Sequence, residues 1–190
     1  MYAAFRFFRE FLRHPLDVSA VAPTSKAALE RIVAAVPRRP GQVIVEYGPG
    51  TGDLAGMLLQ SGGMGTGSQL ILIEKNPVFA RELGRTLHDP RVSVHCAGAA
   101  EVRRILYEHQ ATRADVILCS IPLSVMPEEE RTHILRETSE ALAEDGVFIV
   151  FLVRGVVVSF LRSFFPSVRM ERIRGSLPPL TLYTVRKHIT

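Results

Sequence analysis

From Gln42 onward, short runs of β-branched and aliphatic residues alternate with longer stretches of helical periodicity. Few folds accommodate that alternation. Runs that are apolar at nearly every position suit strands buried on both faces, and such strands linked by helical crossovers form a parallel sheet. Val43–Tyr47, Leu70–Glu74, Val92–Cys96, Val116–Ser120 and Val147–Val153 are five runs of this kind. Two more, Val168–Ile173 and Leu182–Val185, are joined through Gly175-Ser176-Leu177-Pro178-Pro179, so seven strands are expected. The clearest helix opens at Pro127 in its first turn, carries three glutamates there, places Ile134, Leu135 and Leu142 on its apolar side, and is expected to end at Gly146. A shorter helical segment is expected near Val156 to Phe164. The reading is an α/β domain with helices on both faces of the sheet.

Two further helices are expected ahead of the sheet, over Tyr2–His14 and Ser25–Val36. Thr24 or Ser25 can cap the second, and Leu29, Ile32, Val33 and Val36 form its buried stripe. With 190 residues the chain is long enough for one sizeable core and short for two. Residues 1–190 are therefore expected to form one domain, with 1–40 as N-terminal helices and 42–190 as the core. The glycine-rich patch Ser61–Ser68 contains a formal GxGxG, but it follows a helix rather than a strand and is expected to be a flexible connector.

A composition of 47% hydrophobic and 22% charged residues is that of an ordinary globular protein. The longest apolar stretch, Val147 to Leu161, is interrupted by Arg154 and falls short of the ~20 residues that span a bilayer as a helix. Arg6, Arg9, Glu10 and Arg13 interrupt the N-terminal aromatics, which argues against a secretory signal, so a cytoplasmic location is expected. Cys96 and Cys119 lie at strand ends with no metal-ligand spacing, and both are expected to be small core residues. The net charge of +4 is unevenly spread: residues 1–41 carry +4, residues 42–161 carry −5 and residues 162–190 carry +5. Basic ends around an acidic middle suit an anionic partner met by the termini.

The motif that carries chemistry is Glu46-Tyr47-Gly48-Pro49-Gly50-Thr51-Gly52, between the first strand and a helix starting near Asp53. Glycines there let a ligand approach the main chain, while the helix N-terminus offers unpaired N–H groups. A dinucleotide site uses GxGxxG under a pyrophosphate, whereas here the spacing is GxGxG with an acid two residues upstream. S-adenosylmethionine carries an ammonium rather than a phosphate, so Glu46 is useful beside it. Glu74, at the end of the next strand, can accept hydrogen bonds from both ribose hydroxyls. Glu101, in Gly98-Ala99-Ala100-Glu101, is a candidate for the adenine amino group, although a first-turn helix glutamate is the plainer reading. The candidate cofactor set is Glu46, Gly48, Pro49, Gly50, Gly52, Glu74, Lys75, Ala100, Glu101 and Ser120, with Thr24 and Ser25 from the N-terminal region.

Taken together, Phe7-Phe8-Arg9-Glu10-Phe11-Leu12, Val21-Ala22-Pro23-Thr24-Ser25, the glycine turn, Cys119-Ser120-Ile121-Pro122-Leu123 and Leu177-Pro178-Pro179 resemble the bacterial phospholipid N-methyltransferases. The resemblance runs nearly end to end. It implies a Rossmann-like class I methyltransferase fold with a mostly parallel sheet and an antiparallel last strand, S-adenosylmethionine as cofactor, and phosphatidylethanolamine as substrate on the way to phosphatidylcholine. The family pattern would put Asp where Ala99 stands, and Arg154-Gly155-Val156-Val157-Val158 replaces an expected tyrosine- and proline-rich stretch.

Ser120, Ile121 and Pro122 are the catalytic candidates, because a backbone carbonyl beside a rigid proline can orient the substrate nitrogen. No convincing general base emerges. Tyr47, His14 and His133 are suitable types but read better as structural or surface residues. Arg172 and Arg174 suit the headgroup phosphate. Phe5, Phe7, Phe8, Phe11 and Leu12 share one arc of the first helix and Arg6, Arg9 and Arg13 the other, which suits an anionic membrane surface and peripheral association with the inner face of the cell membrane. Nucleic-acid adenine N6-methyltransferases share the glycine turn and the proline motif, but Leu123 stands where they would stack an aromatic on a flipped base. No nucleic-acid partner is therefore expected. A catalytically idle membrane-surface protein is the remaining alternative.

Overall fold

The computed structural model describes residues 25–152, 157–173 and 180–188. The expected helix over Tyr2–His14, with its candidate membrane residues Phe5 to Arg13, lies outside the described residues, as do Thr24, Arg174 and Pro178-Pro179.

Seven strands form one sheet: β1 (Val43–Tyr47), β2 (Gln69–Glu74), β3 (Val92–Cys96), β4 (Ala114–Cys119), β5 (Leu142–Leu152), β6 (Ser167–Ile173) and β7 (Leu180–Arg186). Their order is β3-β2-β1-β4-β5-β7-β6. β7 runs antiparallel to both neighbours, β5 and β6, and the other pairings are parallel. Among the described residues six α-helices accompany the sheet: α1 (Lys26–Ala35), α2 (Asp53–Gln60), α3 (Pro77–Thr86), α4 (Val102–Glu108), α5 (Glu128–Ala141) and α6 (Val158–Arg162). This is the expected Rossmann-like class I methyltransferase architecture.

The near-continuous apolar strands have a simple cause, since alternate side chains face opposite layers and both layers are helical. Ile44, Val116, Leu118, Val147 and Ile149 pack with α1, α2 and α3. Val45, Tyr47, Ile117, Cys119, Phe148 and Val150 pack with α4, α5 and α6 on the other face. At ten residues α1 would be marginal alone. Burial of Leu29, Ile32 and Val33, at about 1.5–3 kcal/mol each, holds it in place. Ser25 caps it by accepting from the Ala28 N–H, and Arg31 ties it to Glu171 on β6.

Several expectations need correction. Pro127 precedes α5 as its N-cap, the helix ends at Ala141, and Gly146 lies inside β5. Leu142 therefore belongs to the strand, where it pairs with Ala114 ahead of a register shift that lets β5 start early. β3 is only partly buried because it is the sheet edge, and that leaves Cys96 exposed while Cys119 is buried. The Ser61–Ser68 connector is pinned to the chain before β1, with Thr66 O accepting from Gly41 N at 2.9 Å and Ser68 Oγ from Gln42 N at 3.1 Å. Among the described residues no helix is long and apolar enough to cross a membrane.

Strand order reverses between β1 and β4. In open α/β sheets the crevice at such a switch point, beyond the carboxyl ends of the strands, is where ligands bind. The glycine turn after β1 and the Ser120 motif after β4 both open onto it.

Candidate cofactor and substrate site

The turn after β1 is held from three sides. Gly48 has φ 65° and donates its N–H to Ile73 O at 2.9 Å. A Cβ on Gly48 would sit 2.6 Å from Ile121 Cγ2, so the turn and the proline motif pack directly against each other. Gly50, at φ 56°, donates its N–H to Glu74 Oε2 at 3.0 Å. A Cβ on Gly50 would meet nothing within 4 Å, which leaves space for a ligand against the backbone. Gly52 caps α2 without a side chain, so the first N–H groups of that helix are not covered by a capping group.

Two carboxylates border this space. Glu74 is buried and accepts from Gly50 N and from Asn76 N at 2.8 Å, thereby joining the turns after β1 and β2. Glu46 is 1% exposed, and its Oε2 is a sealed oxygen with no hydrogen-bond partner among the described residues. Burial first, then the charges of Glu74 and Asp53, push its pKa up to about 8. A buried acid short of one donor and surrounded by like charge suits a cationic ligand. The ammonium of S-adenosylmethionine meets that requirement, so the residues fit this cofactor.

On the β4 side, Ser120 Oγ lies 2.8 Å from Tyr47 O and 2.7 Å from Gly48 O, where its one proton ties β4 to the glycine turn. The Ile121 carbonyl accepts from Leu123 N at 2.9 Å and the Pro122 carbonyl from Val125 N at 3.1 Å. These bonds curl residues 120–125 into a tight hook. The Ser120 carbonyl precedes the bonds of this hook and is the candidate acceptor for a substrate N–H. Leu123 is fully buried in the core and presents nothing to a flipped base.

The remaining candidates are dispersed. Lys75 is exposed and pairs with Glu130 at 3.5 Å. Ala100 sits in the one-turn 3₁₀ helix Ala99–Glu101. Glu101 accepts from Gly98 N at 3.0 Å and pairs with Arg104, so its carboxylate serves as a helix cap, the plainer of its two readings. Ser25 is committed to capping α1. Arg172 is exposed at the carboxyl end of β6, in register with Thr181 of β7, which in turn lies opposite Leu152 at the end of β5. Tyr47 is fully buried with its hydroxyl 3.2 Å from Thr138 Oγ1, and His133 is exposed on α5, so neither is placed as a base. Sequence reasoning missed Asp53 as a third acid at the turn; its helix-opening position was the available signal. It also missed Arg131, which no local pattern marks.

No protein-family profile matches the chain. The chain is similar to the ornithine lipid N-methyltransferase of Singulisphaera acidiphila, at 26% identity over 184 residues, covering 96% of this chain and 95% of that one. Among solved structures it is similar to the Burkholderia thailandensis 1,6-didemethyltoxoflavin-N1-methyltransferase with bound S-adenosylhomocysteine, with TM-score 0.66 and 17% identity, covering 99% and 89% of the two chains. Human methyltransferase-like protein 13 in complex with SAH shares the fold with TM-score 0.61 and 20% identity, covering 84% of this chain and 76% of that one.

Proposed function

We propose that this chain transfers the methyl group of S-adenosylmethionine to the amino group of a membrane lipid. The observation that carries the cofactor half is the sealed, unpartnered Glu46 Oε2 beside the glycine turn. The lipid half draws support from the full-length similarity to an ornithine lipid N-methyltransferase. Phosphatidylethanolamine, implied by the sequence resemblance, remains the second candidate substrate.

When bound, the cofactor supplies an electrophilic methyl group, so the protein's work is chiefly placement. Glu46 takes the ammonium and Glu74 the ribose hydroxyls, a carboxylate having about four acceptor sites for hydroxyl and backbone donors together. The Ser120 carbonyl holds the substrate amine in one direction, the Ile121 and Pro122 carbonyls being engaged within the hook, and Ser120 Oγ keeps that hook fixed to the cofactor turn. A primary ammonium with a pKa near ~10 must shed a proton first, and a poorly solvated pocket favours that loss. Orientation and exclusion of water supply most of the acceleration.

Peripheral attachment at the inner face of the cell membrane is part of the same reading. Val78, after β2, and Val125, after β4, are exposed apolar side chains at the ligand-binding edge. Replacing Arg6, Arg9 and Arg13 with glutamine is expected to weaken binding to anionic liposomes by about 1 kcal/mol per arginine, with neutral liposomes little affected. The activity is tested with labelled S-adenosylmethionine and ornithine lipid, phosphatidylethanolamine or RNA. Label in either lipid supports the proposal. Label in RNA alone, or in none of the three, overturns it.

A further inference from the structure

Arg131 lies in the first turn of α5, immediately after the hook that follows β4. Only 7% of it is exposed, a depth at which an arginine ordinarily has an acidic partner. Among the described residues its guanidinium has a carbonyl and a ring as neighbours, and no carboxylate within ion-pair distance. Nη1 donates to Met126 O at 3.1 Å, and Cζ lies 3.6 Å above the centre of the Phe160 ring on α6. The acids of the same turn are placed otherwise, with Glu130 turned to Lys75 and Glu128 and Glu129 lining an open groove with His133 and Arg136.

The placement of this cation is informative. Met126 and Phe160 pack on the same core face as Ile121, so the guanidinium sits at the carboxyl edge between the segments that follow β4 and β5. Stacking on Phe160 occupies one face of the planar group, and the Met126 carbonyl takes one N–H. The edge carrying the other N–H groups has the fork geometry that pairs with two oxygens of one oxyanion. Burying a guanidinium without a counter-charge is costly, and an incoming anion removes that cost.

We infer that Arg131 is the substrate-anion residue of the site, its guanidinium receiving the carboxylate or phosphate that accompanies the amine in an amino lipid. The inference rests on the proposed lipid substrate and deepens it. Ornithine-type lipids carry a carboxylate and phosphatidylethanolamine carries a phosphodiester, and a stacked guanidinium recognises either. An amino lipid without an anionic group leaves the buried cation unpaired, so the residue also rejects simple amines.

The test separates binding from turnover. Calorimetry with N-dodecanoyl-ornithine, its methyl ester and dodecyl phosphate is run on the parent, Arg131→Met and Arg131→Lys. The parent is expected to bind the free acid, or dodecyl phosphate, at least tenfold more tightly than the ester, and the stronger of the two anions identifies the headgroup class. Arg131→Met is expected to bind acid, ester and phosphate alike, and Arg131→Lys to recover part of the discrimination. S-adenosylmethionine affinity is expected to stay within about twofold of the parent in both variants, because the cofactor turn is untouched. Should Arg131→Met fail to fold, the lysine variant and the parent's acid-to-ester ratio decide. A parent that binds acid and ester equally and ignores dodecyl phosphate overturns the inference. A parent that discriminates yet methylates no amino lipid keeps the anion site and overturns the lipid methyltransferase reading.

Discussion

The two halves of the ligand-binding edge differ in charge and in construction. Around β1 and β2, three acids, Glu46, Asp53 and Glu74, surround a turn of glycines, and Glu46 is sealed with an oxygen that has no partner among the described residues. Around β4 and β5, the buried charge among the described residues is Arg131, stacked on Phe160. The first half is suited to a cation and the second to an anion. They meet where Ile121 fills the space that a Gly48 side chain would need and Ser120 reaches the Tyr47 and Gly48 carbonyls. In the proposed reading one half holds a ligand of fixed chemistry while the other specifies the substrate, and the contact between them sets their relative position.

Breaking that contact has the largest expected effect. Gly48→Val forces a β-branched residue to φ 65° at about 1–2 kcal/mol and drives its Cβ toward Ile121. Both halves should suffer, with lower thermal stability and cofactor binding below detection by calorimetry. If the variant kept parental cofactor affinity and lost only substrate turnover, the halves would be less coupled than the packing implies. Glu74→Ala comes next and should act on the acidic half alone. It removes the acceptor of the Gly50 and Asn76 N–H groups, at about 1–3 kcal/mol for each one left unsatisfied, together with the proposed ribose anchor. Cofactor affinity is expected to fall about tenfold or more with a measurable drop in melting temperature, and an unchanged dissociation constant would place the cofactor elsewhere. Pro122→Ala should be the mildest and should act on the other half, lowering kcat about tenfold while cofactor affinity stays within about twofold. Equal losses in both quantities would remove the distinction between the halves.

The acidic half was legible in the sequence because its requirements are local. A strand, an acid, closely spaced glycines and a helix follow one another within a dozen residues, and the second acid arrives one βα unit later. The seven strands were legible for a related reason, since burial on both faces leaves a run of apolar residues at nearly every position. Boundaries failed where a neighbour supplied what the sequence did not show. β5 begins at Leu142 because Ala114 pairs with it, and no pattern around Gly146 signals that. Cys96 is exposed because β3 is an edge strand, a property of strand order rather than of the local sequence. Arg131 reads as one more charge on an amphipathic helix until α6, some 30 residues later, brings Phe160 beneath it. Substrate sites assembled from separate segments remain hidden for that reason.

In the proposed reading Glu46 waits for a cation. Its pKa of about 8 keeps it protonated at neutral pH in the free protein, and pairing with the cofactor ammonium should ionise it. The sign for stability follows from the same shift. A carboxyl raised in the folded state favours folding fully below its unfolded value of about 4.5, and that contribution is lost as pH rises through about 8. The decisive measurement is calorimetric titration with S-adenosylmethionine at pH 7 in two buffers of different ionisation enthalpy, on the parent and on Glu46→Gln. The parent is expected to release close to one proton per cofactor bound, with the release fading above about pH 9, and Glu46→Gln should bind far more weakly and release none. Parental binding without proton release, together with unchanged affinity in Glu46→Gln, would contradict the account.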